Sequence, residues 1–250
     1  MTGARARSSP RTPGTGPELL SIIVPVYNEV RTVRAVIDRL LVIELPVARE
    51  ILVVDDGSTD GTRDVLAAVQ AEIVGKGEPV MVLLAERNGG KGSAIRRGLA
   101  HARGTIVAIQ DADLELDPQQ LAALVAPIVR GEVDVVYGSR FLNGAPGAPW
   151  LTLAANRVLT GVTNVLYRST LTDMETCYKI MRTDVARSLQ LTANRFDIEP
   201  EITARLLRQG QRIHELPVRF EARTRAQGKK IGWRDGVRAV QVLFAERFRR

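Results

Sequence analysis

The chain has neither disulfides nor long apolar segments. Cys177 is the only cysteine, which excludes an internal disulfide and is compatible with the cytoplasm. No stretch approaches the roughly eighteen apolar residues that a membrane span requires. The longest candidate, at 237–244, is interrupted by Arg238 and Gln241. We therefore expect a protein that can lie on a membrane but does not cross it.

Aromatic residues and histidines are also scarce. Phe, Trp and Tyr make up 4% of the chain and no recognition motif is visible, so no nucleic-acid partner is expected despite the net charge of +7. Residues 219–250 hold ten Lys/Arg against three Asp/Glu. This basic segment favours an anionic partner. With nucleic acid set aside, the candidates are a phospholipid surface and a polyphosphate ligand. His101 and His214 are interpreted as helix-surface and strand residues without a role.

Two regions differ in composition. Residues 1–17 contain three arginines among Ala, Ser, Pro, Gly and Thr, and we expect this basic tail to be disordered. It has no apolar segment of the kind a secretory signal needs. Residues 18–250 show no internal repeat and no second boundary, and with 45% hydrophobic residues in the chain they can bury one large core. We expect a single domain there.

Strand-like and helix-like segments alternate in the first half of the chain. The predicted strands, which are continuously apolar, are 20–26, 51–54, 80–84, 105–110 and 133–137. Helices are predicted at 29–41, from Thr59/Asp60 to 70, at 93–101 and from Pro118. This order predicts an α/β fold with a Rossmann-like, mostly parallel sheet covered by helices. Beyond 140 we expect helices at 151–167, 196–208 and 233–248 and strands at 178–181 and 211–220.

Acidic side chains follow the fourth predicted strand. Asp111-Ala112-Asp113 places two carboxylates one residue apart where the strand ends, at the edge where open α/β sheets bind ligands. Such hard oxygen ligands suit Mg²⁺ or Mn²⁺, and these ions suit a diphosphate. An acidic surface turn is the alternative for this triplet taken alone.

Two further strand ends carry polar residues. Pro25-Val26-Tyr27-Asn28-Glu29 ends the first strand, and Asp55-Asp56-Gly57-Ser58 ends the second. Ordinary turn chemistry also uses these residue types. Three acidic or amide-bearing strand ends at one edge nevertheless favour a nucleotide site, because a nucleotide needs carboxylate or amide partners and close backbone approach.

A Gly-rich segment precedes the third predicted helix. Residues 87–93 do not match the Walker pattern, because Ala85 stands where its first Gly should be and Gly92 follows the lysine. A helix N-terminus with Lys91 near an anion remains as the interpretation.

Taken together and in this order, the motifs resemble the family 2 glycosyltransferases of the GT-A fold. Gly138-Ser139-Arg140 looks like the strand end of the polyprenyl-phosphate (dolichol-phosphate mannose synthase-like) branch. The resemblance continues through 173–179, 196–199 and 223–233, and covers nearly everything from 21 to 244. Glu115 stands where those synthases carry Gln, and Glu175-Thr176-Cys177 replaces their Ser-Gly pair.

The resemblance implies a nucleotide-activated sugar donor, GDP-mannose or UDP-glucose, with Mg²⁺ or Mn²⁺ as cofactor. The residues expected to bind the donor are Pro25, Tyr27, Glu29, Asp56, Lys91, Asp111 and Ala112. Those expected to face the metal are Asp111, Asp113 and Glu115.

A polyprenyl phosphate is the predicted acceptor, and cationic side chains are expected around its phosphate. The candidates are Arg140, Arg223, Lys229 and Lys230, and Asp113, Arg140 and Arg223 are taken as catalytic. A lipid phosphate is already anionic, so that it can attack the anomeric carbon without a base, in one inverting displacement.

Transfer to a sugar hydroxyl, as in polysaccharide or glycolipid synthesis, is the alternative. It would require a carboxylate base, for which the candidates are Asp173, Glu175, Glu199 and Glu201. The Gln-x-x-Arg-Trp pattern of polysaccharide-synthesising relatives is absent from the sequence. A sugar nucleotidyltransferase would want a Gly/Arg/Lys-rich loop after the first strand, where residues 25–29 differ.

The C-terminal segment has the pattern of a basic amphipathic helix. Val237, Val240, Leu243 and Phe244 fall on one face of the predicted helix. We therefore expect a cytoplasmic protein that binds peripherally to the inner face of the membrane. A homodimer is compatible with the sequence.

Overall fold

The structure is a computed structural model that describes residues 18–74, 76–144, 147, 150–222 and 233–249. The predicted disordered tail at 1–17 and the basic loop residues Arg223, Lys229 and Lys230 lie outside the described residues.

Strands and helices alternate as the sequence predicts. The strands are β1 Leu19–Val26, β2 Ala48–Asp55, β3 Val80–Leu84, β4 Ile106–Ile109, β5 Val135–Ser139, β6 Lys179–Arg182 and β7 Ile213–Pro217. The helices are α1 Val33–Val42, α2 Thr62–Val74, α3 Lys91–His101, α4 Leu121–Val129, α5 Trp150–Tyr167, α6 Thr183–Ser188, α7 Ile198–Arg208 and α8 Trp233–Phe248, with a 3-10 turn at Pro118–Gln120 before α4.

The described strands form one seven-stranded sheet in the order β3-β2-β1-β4-β6-β5-β7. Strands β3, β2, β1 and β4 are parallel, β6 runs antiparallel between β4 and β5, and β7 is parallel to β5. The chain proceeds from β1 to β3 on one side and resumes at β4 on the other. The ends of β1 and β4 therefore flank a topological switch point, the place where such sheets bind ligands.

Both faces of the inner strands β1, β2, β4 and β5 are largely buried, which is why these strands read as apolar runs, whereas the edge strands β3 and β7 are partly exposed. On one face, Ile22 and Val24 of β1 share a cluster with Leu40 of α1 and Leu124 of α4. On the other face, Ile23 belongs to a cluster that includes Ile95 of α3, Val185 of α6 and Ile202 of α7. A smaller cluster joins α5, α7 and α8, with Leu159, Ala204 and Leu243 among its members.

Two local features differ from what the sequence predicts. Helix α1 begins at Val33 rather than at 29; the segment before it is attached to the loop after β2, where the side chains of Thr62 and Asp60 accept from the N–H groups of Glu29 and Val30. Helix α6 was not predicted, because its six residues are too few to show helical periodicity.

The four apolar residues that the sequence predicts on one face of α8 do not share one environment, because two of them pack against the protein and two are exposed. Leu243 is buried against the α5–α7 cluster and Val240 packs at its margin, whereas Val237 and Phe244 are 49% and 45% exposed. With Phe248, which is 72% exposed, they form a second apolar stripe that faces solvent. Among the described residues, no helix combines the length and apolarity that crossing a bilayer demands.

Candidate active site

The ends of β1 and β2 are joined by hydrogen bonds between side chains and backbone. The Asn28 amide oxygen accepts from the Thr59 N–H at 2.8 Å, and the Asn28 N–H donates to the Ser58 hydroxyl at 2.9 Å. Asn28 adopts a left-handed conformation with φ 52°, a region that Asn tolerates better than most residues. Pro25 is the seventh residue of β1, and Tyr27 and Glu29, both half-buried, lie on either side of Asn28. The predicted base and ribose residues of this loop therefore share one edge of the sheet.

Asp56 connects this edge to the Gly-rich loop. Its carboxylate accepts from the Gly89 N–H at 3.0 Å and from the Gly90 N–H at 2.6 Å, and the residue is only 3% exposed. Burial raises the pKa of Asp56 even though the two N–H groups lower it. Asp55 is also fully buried and accepts from Arg63 at 2.8 Å. Both carboxylates hold the loops in place.

Glycines allow the loops to approach each other closely. Gly57 has φ +79°, and a Cβ there would lie 2.6 Å from the Arg87 carbonyl carbon. Gly90 has φ +95°, and its Cβ would collide with the Asn194 carbonyl oxygen. That same oxygen accepts from the Ser93 N–H at 3.0 Å in the first turn of α3. The start of α3, where an anion was expected, is thus packed against residues 193 and 194.

Asp111 and Asp113 follow β4 at the switch point, as the sequence predicts. The Asp111 side chain is 23% exposed, and Oδ1 of Asp113 accepts from the Glu115 N–H at 3.1 Å. Ala112 between them is buried. Among the described residues, no three Asp, Glu, His or Cys side chains form a metal site by themselves. The pair nevertheless fits Mg²⁺, which proteins usually hold with one or two carboxylates together with substrate phosphates.

Lys91 pairs with Asp111 and with Glu199, a residue of α7. Its Nζ lies 2.8 Å from Oδ1 of Asp111 and 3.0 Å from Oε1 of Glu199, and its side chain is 12% exposed. Burial by itself would lower the pKa of Lys91, but Asp111 and Glu199 outweigh it and hold the pKa well above its ordinary value. The anions next to Lys91 are therefore two carboxylates of the protein itself.

The ion pairs continue into the core through Lys179, which is completely buried on β6. Its Nζ lies 2.8 Å from Oε2 of Glu199 and donates to the carbonyl oxygens of Met174, at 3.0 Å, and Thr176. It also lies 4.7 Å from the centre of the Tyr137 ring. Burial would raise the pKa of Glu199, but Lys179 and Lys91 keep it below its usual value. Sequence reasoning assigned no role to Lys179, although a lysine inside the apolar run 178–181 requires a buried partner.

Arg140, predicted to contact phosphate, is engaged by Asp173. Its Nε and Nη2 lie 2.7 and 2.8 Å from the two carboxylate oxygens, and its backbone N–H donates to the same group at 3.0 Å. Asp173 is fully buried, and Glu215 fixes it by accepting from its N–H. The guanidinium also lies 5.2 Å from the centre of the Phe220 ring. This pairing occupies the bidentate geometry that a phosphate would use.

Glu175 is half-buried, and among the described residues it makes none of the ion pairs that hold Asp173, Glu199 and Glu201. Its Oε1 is shielded from solvent and has no hydrogen-bond partner among those residues. Burial raises the pKa of Glu175 to about 7, although Lys179 and Arg140 oppose the shift. The adjacent Thr176 hydroxyl donates to the Gly138 carbonyl at 2.5 Å, which attaches this loop to the end of β5. The alternative bases Asp173, Glu199 and Glu201 all have cationic partners.

The fold and this edge define a glycosyltransferase domain. The family described as glycosyl transferase family 2 matches residues 21–189, and the chain belongs to this family. The predicted GT-A fold, a mostly parallel α/β sheet flanked by helices, is confirmed. The motifs resemble the polyprenyl-phosphate branch of this family, and two relatives are named as enzymes that act with a dodecaprenyl or dolichol phosphate.

Curated relatives extend beyond the length of this chain. Dodecaprenyl-phosphate galacturonate synthase of Rhizobium johnstonii is 29% identical over 219 residues, covering 84% of this chain and 61% of the relative. Dolichol-phosphate mannosyltransferase of Pyrococcus furiosus is 26% identical over 217 residues, covering 85% and 59%. The chain thus matches less than two thirds of either relative.

Solved structures share the fold. Glucosyl-3-phosphoglycerate synthase from Mycobacterium tuberculosis, crystallised with Mn²⁺, UDP and phosphoglyceric acid, superposes with a TM-score of 0.70 at 20% identity, covering 92% of this chain and 79% of that chain. The same protein with Mg²⁺ and UDP gives a TM-score of 0.63 at 20% identity, covering 92% and 78%.

Proposed function

We propose that this domain transfers a hexose from GDP-mannose or UDP-glucose to a polyprenyl phosphate, with Mg²⁺ or Mn²⁺ and with inversion at the anomeric carbon. The observation that carries the proposal is the position of Asp111 and Asp113 after β4, at the switch point beside β1. The names of the two curated relatives, both of which specify a polyprenyl or dolichol phosphate, favour this acceptor.

On the donor side, Asp111 and Asp113 would hold the cation, with Glu115 next to them on the same loop. A divalent cation there would neutralise the charge that develops on the departing nucleoside diphosphate. Tyr27 and Glu29, joined through Asn28 to the loop after β2, would border the base and ribose. The remaining donor-site residues of this proposal, which line the same edge, are Pro25, Asp56, Lys91 and Ala112.

On the acceptor side, Arg140 would attract the lipid phosphate, and Arg223, Lys229 and Lys230 would assist. An acceptor oxygen forms the new bond to the anomeric carbon while the bond to the diphosphate oxygen breaks. No proton needs to leave the acceptor when its phosphate is fully ionised. Because Asp173 occupies two nitrogens of Arg140, this arginine would act by charge and through the remainder of its guanidinium.

An exposed apolar surface supports binding to the membrane. On α5, Trp150, Val158 and Val165 are 74%, 62% and 81% exposed, and Arg157 is the only charged residue of this helix. At the end of α8, Arg247 donates to the Leu166 carbonyl of α5, which places the two helices side by side. An apolar surface with basic residues suits an anionic bilayer. We propose that the protein binds peripherally to the cytoplasmic face of the membrane.

The test is an acceptor and donor panel. The purified protein is incubated with Mg²⁺ or Mn²⁺, a series of sugar nucleotides and a short polyprenyl phosphate, and products are identified by mass spectrometry. We expect a sugar linked to the lipid phosphate, with loss of transfer in EDTA. Transfer to sugar hydroxyls alone would contradict the proposed acceptor.

Glu175 supports a second candidate, transfer to a sugar hydroxyl. A half-buried carboxyl whose pKa is raised to about 7 matches a general base at neutral pH. Glu175→Gln separates the two functions. It should abolish transfer to a hydroxyl, whereas transfer to an ionised lipid phosphate should continue.

A further inference from the structure

One ammonium group is shared by two carboxylates next to the proposed metal position. Lys91 Nζ lies 2.8 Å from Asp111 and 3.0 Å from Glu199, so that a small movement would leave it bound to only one of them. If Asp111 binds a divalent cation, a second positive charge at the same carboxylate is repelled. Lys91 therefore competes with the metal for Asp111.

Glu199 is the more rigidly held of the two acceptors. It lies in the first turn of α7, its side chain is 5% exposed, and its other oxygen is 2.8 Å from the buried Lys179. Lys179 is itself held by the carbonyl oxygens of Met174 and Thr176. Glu199 can thus accept Lys91 without any rearrangement of its own.

We infer that Lys91 is the counter-ion of Asp111 before metal binds, and that Glu199 is the positioning residue that receives Lys91 when a divalent cation takes its place. The inference rests on the proposed function only in treating Asp111 as a metal ligand. It adds an exchange between an internal ammonium and the cation, and it assigns Glu199 a role other than that of a base.

The exchange is tested by Mn²⁺ binding to the full chain, first without nucleotide and then with saturating GDP or UDP, measured by isothermal titration calorimetry. Lys91→Met removes the competing ammonium and should raise the Mn²⁺ affinity roughly tenfold, or about 1.4 kcal/mol, because the charge-assisted hydrogen bond to Asp111 no longer has to be broken. Glu199→Gln leaves Lys91 with Asp111 as its only carboxylate and should lower the affinity, also roughly tenfold.

A double variant distinguishes the exchange of Lys91 from a direct electrostatic effect of Glu199 on the metal. If the Glu199 charge attracted Mn²⁺ directly through space, its removal would weaken Mn²⁺ binding even in a protein without Lys91. If Glu199 acts through Lys91, adding Glu199→Gln to Lys91→Met should change the affinity by less than about twofold. Glu201→Gln is the matched control, because Glu201 lies on the same helix, is 2% exposed and pairs with Arg205 at 2.6 Å. It should retain the wild-type affinity.

Thermal unfolding with and without Mn²⁺ provides a second measurement, in which Mn²⁺ should raise the Tm of Lys91→Met more than that of the wild type. Lys91→Gln replaces Lys91→Met if the methionine prevents folding. An unchanged or lower affinity in the Lys91 variant, or a Glu199→Gln effect that persists in the double variant, would overturn the inference alone. Failure of the wild type to bind Mn²⁺ with or without GDP or UDP would overturn the proposed function as well.

Discussion

Lys179 supplies the buried positive charge on which the site's geometry depends, and Lys179→Met should strongly destabilise the protein. The substitution removes the ion pair with Glu199 and leaves the carbonyl oxygens of Met174 and Thr176 without their donor. Breaking one side of a buried ion pair costs about 3–5 kcal/mol. Since Lys91 still partners Glu199, we expect a loss of about 3 kcal/mol in the free energy of unfolding, measured by urea denaturation.

A surface lysine provides the comparison. Lys76 pairs with Glu72 at 3.2 Å, but its side chain is 61% exposed, and Lys76→Met should leave the urea midpoint unchanged within error. If Lys179→Met and Lys76→Met unfold at the same urea concentration, Lys179 does not stabilise the loop as argued.

Three further predictions concern the backbone, pH and the membrane. Gly90→Ala should lower the free energy of unfolding by about 1–3 kcal/mol, because φ is +95° and the methyl group meets Asn194; thermal melts test this, and an unchanged Tm refutes it. The raised pKa of Glu175, about 7, means that the folded state keeps a proton that the unfolded state releases above about 4.5, so the contribution of Glu175 to stability falls as pH rises from 4.5 to 7. Compared with the wild type, Glu175→Gln should lose less stability between pH 4.5 and 7 in urea titrations and be the more stable protein at pH 8; equal pH dependence in the two proteins refutes it. The paired change Trp150→Ser and Phe248→Ser should reduce sedimentation with anionic liposomes, and undiminished sedimentation would exclude this surface.

Much of the fold could be predicted because both faces of the inner strands are covered. These strands read as apolar runs, so that the predicted 20–26 strand lies within β1 and the predicted 51–54 strand lies within β2. The antiparallel position of β6 between β4 and β5 depends on contacts distant in sequence, which periodicity does not report. The site residues likewise fall into a predictable and an unpredictable group. Asp111 and Asp113 could be predicted, because they directly follow a strand.

The partners of these side chains could not be predicted. Arg140 and Asp173 meet because the loop before β6 folds back onto the end of β5, 33 residues away along the chain. The sequence alone therefore predicts that Arg140 is available to a phosphate, whereas the structure pairs it with Asp173. A lysine in an apolar strand does signal a buried ion pair, but only the fold identifies its partner as a residue of α7.

The central claim is that Asp111 and Asp113 hold a cation that binds the nucleoside diphosphate. It is tested most directly by titrating GDP and UDP into the wild type and Asp113→Asn, with and without Mn²⁺. Asp117→Asn is the matched control, since Asp117 lies on the same loop but caps the 3-10 turn. The account predicts Mn²⁺-dependent binding of at least one nucleotide to the wild type and the control, and its loss in Asp113→Asn. Equal Mn²⁺-dependent binding to all three proteins would contradict it.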